Sequence, residues 1–465
     1  MGGFRRGILA GTCLFSLLGY SAIHQTDEWT KESSPLFLTR LAANISPVGT
    51  FPGVVIAAPS KQNPNYFFHW VRDASLVMDV VVSLYLSETD AAKKNHYEKQ
   101  LIDYIDFSRL NQTVATLSGG VGEPRYNVDG TANNDPWGRP QNDGPALRTI
   151  ALARLAQRWL DEGKEALVRQ KLYQAEMPAN RVIKADLEFI SHHWRDTCFD
   201  LWEEIRGSHF FTQIVQRRAL IDGAALAQRL GDPKAADWYR QQAAQMESVI
   251  AWHWDASKGY IVSTLQRDGG IDYKSSNLDS SVVLGALYGQ GDAFFKPSDD
   301  RVLATVLHLE NAFNALYPIN QKGLPATAIG RYPEDRYDGY STGGQGNGWV
   351  LITAAFGDWY YTVAEEFRRA GNLQISEKNV AFFRNLGVLD TAQAPGQHFA
   401  SNDPKFSTIL SALRGKGDEY LNRVHIHAPD GHLSEQINRY TGFMQGAPDL
   451  TWSYAAILRA IHTRN

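Results

Sequence analysis

Three carboxylates stand within five positions in Asp200-Leu201-Trp202-Glu203-Glu204, and Ile205-Arg206-Gly207-Ser208 follows. Clustered carboxylates raise one another's pKa, because each added negative charge costs energy. A glutamic acid kept protonated near neutral pH is what general acid catalysis needs. The blander reading is an acidic helix start capped by Ser208. A further carboxylate, Glu435, lies in the polar run Ser434-Glu435-Gln436. Taken alone it is indistinguishable from a solvated loop glutamate. Asp449-Leu450-Thr451-Trp452-Ser453-Tyr454 comes next, with Asp449 reading as the N-cap of a last helix.

Other segments set aromatic faces beside planar charged groups, the combination that takes sugar rings and paired hydroxyls. One is Tyr66-Phe67-Phe68-His69-Trp70-Val71-Arg72-Asp73, in which Asp73 also reads as a helix cap. A second is Gly122-Glu123-Pro124-Arg125-Tyr126-Asn127-Val128-Asp129. It runs on to Trp137-Gly138-Arg139-Pro140-Gln141-Asn142-Asp143-Gly144-Pro145. Its Gly and Pro density favours a fixed backbone shape over a solvated charged loop. A third is Gly330-Arg331-Tyr332-Pro333-Glu334-Asp335 with Gly346-Asn347-Gly348-Trp349. Other chemistries find no support. His192 and His193 are adjacent and cannot share a helix face, and no paired cysteines occur, so neither metal nor cofactor is expected. Gly207-Ser208 leads into His209-Phe210 and not into a nucleophile elbow, and no phosphate-cradling glycine loop is present.

These segments must be held by helices. Leu147, Ala151, Leu155 and Trp159 form one helical stripe. Phe211, Ile214, Val215 and Ala219 form another, and Tyr454, Ile457, Leu458 and Ile461 a third. About a dozen such segments begin near residues 72, 90, 143, 164, 180, 208, 232, 277, 300, 347, 376 and 448. Strand alternation is scarce, and a small hairpin at Gly259 to Leu265 is its best case. Long polar, glycine-rich stretches at 118–143, 195–208, 321–347 and 424–447 separate the helices. Loops of that length are where function sits. The pattern predicts an all-α domain.

The 465 residues are 43% hydrophobic and 21% charged, which describes a core-forming chain. Lys plus Arg number 46 against 50 Asp plus Glu, so no basic excess is available for nucleic acid. Arg5-Arg6 precede the apolar Gly7–Ile23, with small residues from Gly19 to Ala22. That reads as a secretory signal over residues 1–22, with an uncleaved anchor as the alternative. It predicts a secreted protein, or one held in the vacuole or at the cell surface, with no stable membrane association beyond the leader. Asn44-Ile45-Ser46 and Asn111-Gln112-Thr113 are acceptor triplets, making Asn44 and Asn111 expected glycosylation sites. Cys13 falls in the leader, leaving Cys198 without a disulfide partner.

Taken together and in this order, the segments resemble fungal glucoamylases, the glycoside hydrolases of family 15, across about residues 30 to 463. The yeast type is nearest, through Ser434-Glu435-Gln436-Ile437-Asn438-Arg439-Tyr440-Thr441-Gly442-Phe443. The resemblance implies an (α/α)6 barrel of six helical hairpins, twelve helices in two concentric rings. Residues 23–465 would form a single catalytic domain, monomeric and without a starch-binding domain. The implied substrate is an α-glucan such as starch, dextrin or glycogen, cut from non-reducing ends with inversion to release β-D-glucose. Glu203 matches the general acid and Glu435 the general base. Glu204 matches a carboxylate of the next subsite, and Asp200 an acid beside the general acid. Tyr66, Trp70, Arg72 and Asp73 match the terminal-glucose subsite. Trp137, Trp202, Arg331 and Trp349 match further contacts, Asp335 a neighbouring acid, and Tyr332 and Arg139 additional substrate contacts. His69 stands where the family usually has a small hydroxyl residue, which predicts an altered innermost subsite, and Gly348 where Pro or Ser is common. The alternatives are another (α/α)6 glycosidase, a trehalase or isomaltose-preferring exo-glucosidase, and a non-catalytic glucan-binding relative.

Overall fold

The helical stripes become fourteen helices among the described residues, which are 9–390 and 393–465 of this computed structural model, with side chains from residue 26 onward. Six main helices are α1 (Leu9–Ala43), α3 (Ala91–Asn111), α6 (Val182–His193), α8 (Pro233–Ala251), α10 (Asp300–Leu316) and α13 (Pro404–His427). They alternate along the chain with α2 (Val71–Ser87), α4 (Gly144–Asp161), α7 (Phe210–Arg229), α9 (Ser281–Tyr288), α11 (Val350–Ala370) and α14 (Thr451–Arg464). The second set packs neighbour on neighbour, and α14 meets α2 to close an inner ring. The first set lies outside it. Short helices α5 (Glu165–Lys171) and α12 (Val380–Asn385) fill the connections. This is the (α/α)6 barrel that the resemblance implies.

Local chemistry explains the ends. The Asp232 side chain accepts from Ala235 N, and Pro233 takes the first position of α8, where its missing N–H is no loss. Helix α11 stops at Gly371, whose φ of 66° is the left-handed conformation that glycine takes without a Cβ penalty. Among the described residues one large apolar core runs from Trp29 to Ile461, with Trp159 and Trp359 completely enclosed, and a small second cluster gathers Val54, Ile56 and Phe107.

Strands are short and work as joints. β1 (His69–Trp70) pairs antiparallel with β2 (Arg125–Tyr126). β3 (Cys198–Phe199), β4 (Ile205–His209) and β7 (Thr264–Gly270) form one sheet. β5 (Trp254–Asp255) pairs with β6 (Tyr260–Ile261). β8 (Gly348–Trp349) and β12 (Met444–Gln445) flank β11 (Gln436–Ile437), and β9 (Asn372–Gln374) pairs with β10 (His398–Ala400). The hairpin expected at Gly259 to Leu265 is divided: Tyr260–Ile261 folds back on β5, while Thr264 onward joins β4. β1, β4 and β8 each lead straight into an inner helix, so they fix where those helices begin.

Several expectations are corrected. Both acceptor asparagines are enclosed in the folded chain. Asn44 is 4% exposed and its Nδ2 donates to the Asp449 carbonyl at 3.1 Å and to Thr451 Oγ1 at 2.9 Å. Asn111 is 2% exposed at the end of α3. Asp449 does not cap α14. Leu450 holds that position, and Asp449 accepts from the Tyr454 hydroxyl. Ser208 is no cap either, since it lies in β4 and donates to Gln266 at 3.0 Å. Of the expected leader, residues 1–8 lie outside the described residues, and 9–22 begin α1. Among the described residues, no helix is long and apolar enough to cross a membrane.

Candidate active site

The joints bring the chemistry-bearing segments around one cavity of about 320 Å³. Glu203 stands on the turn between β3 and β4. Asp200 makes that turn: its Oδ1 accepts from Glu204 N at 2.8 Å and Ile205 N at 3.0 Å, and its carbonyl accepts from Glu203 N at 2.9 Å. The result is a left-handed backbone at Glu203, φ 69°, a conformation that a non-glycine residue holds only where its surroundings impose it. The Glu203 carboxylate accepts from Trp70 Nε1 at 2.7 Å and from Arg72 Nη2 at 3.4 Å.

Glu435 approaches from the opposite side of the chain order. It precedes β11, whose Gln436 pairs with Trp349 of β8. Its Oε1 accepts from the Tyr66 hydroxyl at 2.9 Å and its Oε2 from the Tyr337 hydroxyl at 3.3 Å, while those hydroxyls lie 2.8 Å apart. Gly446 presses against it. At φ 76°, any Cβ there would overlap Glu435 Oε2. Burial pushes the Glu435 carboxyl up to about 8, against the pull of the Tyr66 hydroxyl, the Arg331 charge and the Tyr337 hydroxyl.

Two arginine centres flank the pair. Arg72, at the start of α2, donates to Gln141 at 2.8 Å and Asp143 at 3.1 Å, with Nε 3.4 Å from Asp73. Burial raises Asp73 to about 6, opposed by Arg72 and reinforced by Glu203 and Asp143. Arg331 pairs with Asp335 at 2.9 and 2.6 Å and donates to Glu204 at 2.8 Å. Its guanidinium lies 5.6 Å from the ring centres of Trp202 and Trp349 and 5.3 Å from that of Tyr337. Burial raises Glu204 as well, although Arg331 opposes it. Trp349 Nε1 is buried without a hydrogen-bond partner, and Asp73 Oδ2 and Arg72 Nε meet only each other, as a 3.4 Å ion pair; all three residues line the cavity. An orphan such as the Trp349 indole N–H costs about 1–3 kcal/mol unless something polar meets it.

Of the residues singled out from sequence, Tyr66, Trp70, Arg72, Asp73, Trp137, Trp202, Glu203, Glu204, Arg331, Trp349 and Glu435 line the cavity. Asp200, Arg139, Tyr332 and Asp335 stand behind that lining. Arg139 ties down its own loop, donating to Glu123 at 2.7 Å and to the Asn133 carbonyl at 2.7 Å. Tyr332 donates to Glu204 at 2.6 Å. His69 does not reach the innermost subsite. Strand alternation turns it away from Trp70's side, where its Nδ1 accepts from Val55 N at 3.1 Å. Tyr337, Thr342 and Trp452 line the cavity without having been singled out as site residues. Behind Trp202, Asp279, buried and ion-paired with Lys274, accepts the indole N–H at 3.0 Å, a partnership that no sequence spacing indicates.

A helical barrel with an aromatic-lined cavity that holds two carboxyl groups from different loops beside arginine–aspartate pairs has the parts of a glycoside hydrolase. Residues 38–462 match the model of the glycosyl hydrolases of family 15, and the chain belongs to that family. It is 40% identical to a glucoamylase of Blastobotrys adeninivorans over 90% of this chain and 68% of that protein. The solved glucoamylase of Saccharomycopsis fibuligera superimposes with a TM-score of 0.85 at 32% identity, covering 95% of both chains. A third relative corrects the expected location. The Saccharomyces cerevisiae protein named as an intracellular, sporulation-specific glucoamylase is 32% identical over 98% of this chain and 87% of its own length. Family membership therefore carries no extracellular address, and the expectation of a secreted, vacuolar or cell-surface protein is withdrawn.

Proposed function

We propose that the protein is a glucan 1,4-α-glucosidase that releases β-D-glucose from the non-reducing ends of starch, dextrins or glycogen, acting as a monomer through one catalytic domain over residues 23–465. The observation that carries this reading is the pair of carboxyl groups, Glu203 and Glu435, lining one cavity from different loops. Glu203 is the general acid that protonates the glycosidic oxygen. Glu435 is the general base that draws a proton from water on the other face of the sugar. Inversion needs room for that water, for which such pairs stand about 6.5–9.5 Å apart. Arg72 and Asp73 take the hydroxyls of the terminal glucose, which completes the hydrogen bonding that their 3.4 Å ion pair leaves open. Glu204 and Arg331 hold the next sugar beside Trp202 and Trp349, whose rings pack on each other with centres 5.6 Å apart. Asp200, Tyr332, Asp335 and Arg139 act through the residues they fix.

A second reading rests on the electrostatics of the unliganded site. Glu435 is the carboxyl that burial favours in its protonated form, whereas Glu203 accepts from an indole and a guanidinium. That arrangement would suit Glu435 as acid and Glu203 as base. α-Glucosyl fluoride separates the two, because fluoride departs without a proton. Glu203→Gln and Glu435→Gln should each lose at least about a thousandfold on maltoheptaose. On the fluoride, the variant lacking only the acid keeps its rate, and Glu203→Gln is expected to be that variant. Retention by Glu435→Gln instead would exchange the roles. Proton NMR of the first glucose released should show the β anomer, and an α product would refute inversion.

A further inference from the structure

Arg125 lies behind the cavity and not in its lining. It stands opposite Trp70 in the β1–β2 register. Its guanidinium sits 3.9 Å from the ring centre of Trp137, 4.5 Å from that of Phe68 and 4.9 Å from that of Trp70. The rings meet one another at 5.9 Å between Trp70 and Trp137, and at 6.1 Å between Phe68 and Trp70. Outward, the guanidinium donates to Asn133 at 2.8 Å and to Asp135 at 3.0 Å. Its Nε is buried without a partner, so it is held by faces as much as by hydrogen bonds. Only a planar, weakly hydrated cation sits among three rings in this way, and a lysine ammonium does not replace it.

The stack ends on chemistry. Trp70 donates to the Glu203 carboxylate, and Trp70 and Trp137 are both cavity walls. We propose that Arg125 is a positioning residue for Glu203, clamping the indole that holds this carboxyl and the platform beside it. The inference rests on the reading that Glu203 reacts with substrate. It assigns Arg125 no contact with substrate.

Arg125→Lys and Arg125→Met test it. A single indole hydrogen bond that is no longer aimed costs about tenfold in rate. Both variants should lose about that factor in kcat on maltoheptaose, and should reproduce in weaker form the maltoheptaose-to-fluoride pattern of Glu203→Gln. A role confined to holding the loop would lower Tm and leave that pattern unmoved. Asp135→Asn loosens the same clamp from a side chain that is 60% exposed, so folding is not at stake, and a smaller shift of the same kind is expected. Unaltered kcat in folded Arg125→Lys and Asp135→Asn, beside an inactive Glu203→Gln, overturns the proposal and leaves the catalytic reading standing. Equal losses on both substrates where Glu203→Gln is selective overturn it too. Full activity of Glu203→Gln on maltoheptaose refutes the catalytic reading itself.

Discussion

The Tyr66 hydroxyl gives the sharpest test of the base. Tyr66→Phe removes the donor 2.9 Å from Glu435 Oε1 and keeps the ring against Trp70, whose centre lies 5.5 Å away. A donor to a carboxylate stabilises its ionised form, so removal raises the Glu435 pKa. A hydrogen bond to a charged group contributes about 1.5–3 kcal/mol, and the lower end is about one pH unit at 1.36 kcal/mol per unit. The lower end applies because the Tyr337 hydroxyl, 3.3 Å from Oε2, remains. Tyr337→Phe should therefore move the profile less than Tyr66→Phe. A base must be ionised to act. The acid limb of kcat/KM should shift about one unit upward, with about tenfold loss below the limb and little change above it. The assay is the pH dependence of maltoheptaose hydrolysis from single-time-point glucose release, with circular dichroism to confirm folding. An alkaline limb that moves in place of the acid one would mark Glu435 as the acid. A folded variant with neither limb moved would refute the link between these hydroxyls and the charge on Glu435.

Three further outcomes follow from the geometry. Asp200→Ala strands the Glu204 and Ile205 amides and frees Glu203 from its left-handed turn, so kcat should fall about a hundredfold, while Asp200→Asn, which keeps one acceptor, stays within about tenfold on the same glucose assay. Gly446→Ala sets a methyl against Glu435 Oε2 in a left-handed backbone and should lower kcat with little change in KM, and steady-state kinetics showing the reverse would contradict that packing. Glu310 is buried and accepts from the Tyr360 hydroxyl at 2.8 Å and the Tyr420 hydroxyl at 2.6 Å, and burial raises its carboxyl. A folded pKa above the unfolded one means that stability is complete below the unfolded value and is lost as pH rises through the folded value. Glu310→Gln keeps the acceptor oxygen and should raise Tm at about pH 7 but not at about pH 4, as read by calorimetry.

The helices were largely legible because apolar spacing is a local property. The stripes beginning near 72, 143, 208, 347 and 448 correspond to inner helices α2, α4, α7, α11 and α14. Helix α13 has no counterpart among the expected segments. Its buried stripe of Phe406, Ile409, Leu413, Tyr420 and Val424 has helical spacing after the start signal Asp403-Pro404, but Gly415, Gly417 and a long polar face dilute it. Residues 9–22 of the expected leader begin α1, and an apolar run after two arginines has the same composition in a leader as in a helix of the fold.

The site divides along the same line. By itself the sequence determined the Asp200 to Glu204 carboxylate cluster, the aromatic and arginine segments and the family they belong to, because those signals lie within a few residues of one another. Only the tertiary structure decided that Tyr66 meets Glu435 across 369 positions, that Tyr337 and Trp452 join the cavity, and that Asn44 and Asn111 are enclosed. It also decided that His69 faces away from the cavity and that burial pushes the Glu435 carboxyl up to about 8. Spacing along a chain fixes which neighbours share a helix face or a turn. Burial, charge and the reach of a hydroxyl depend on what packs from other elements, and those exist only once the ring of helices has closed.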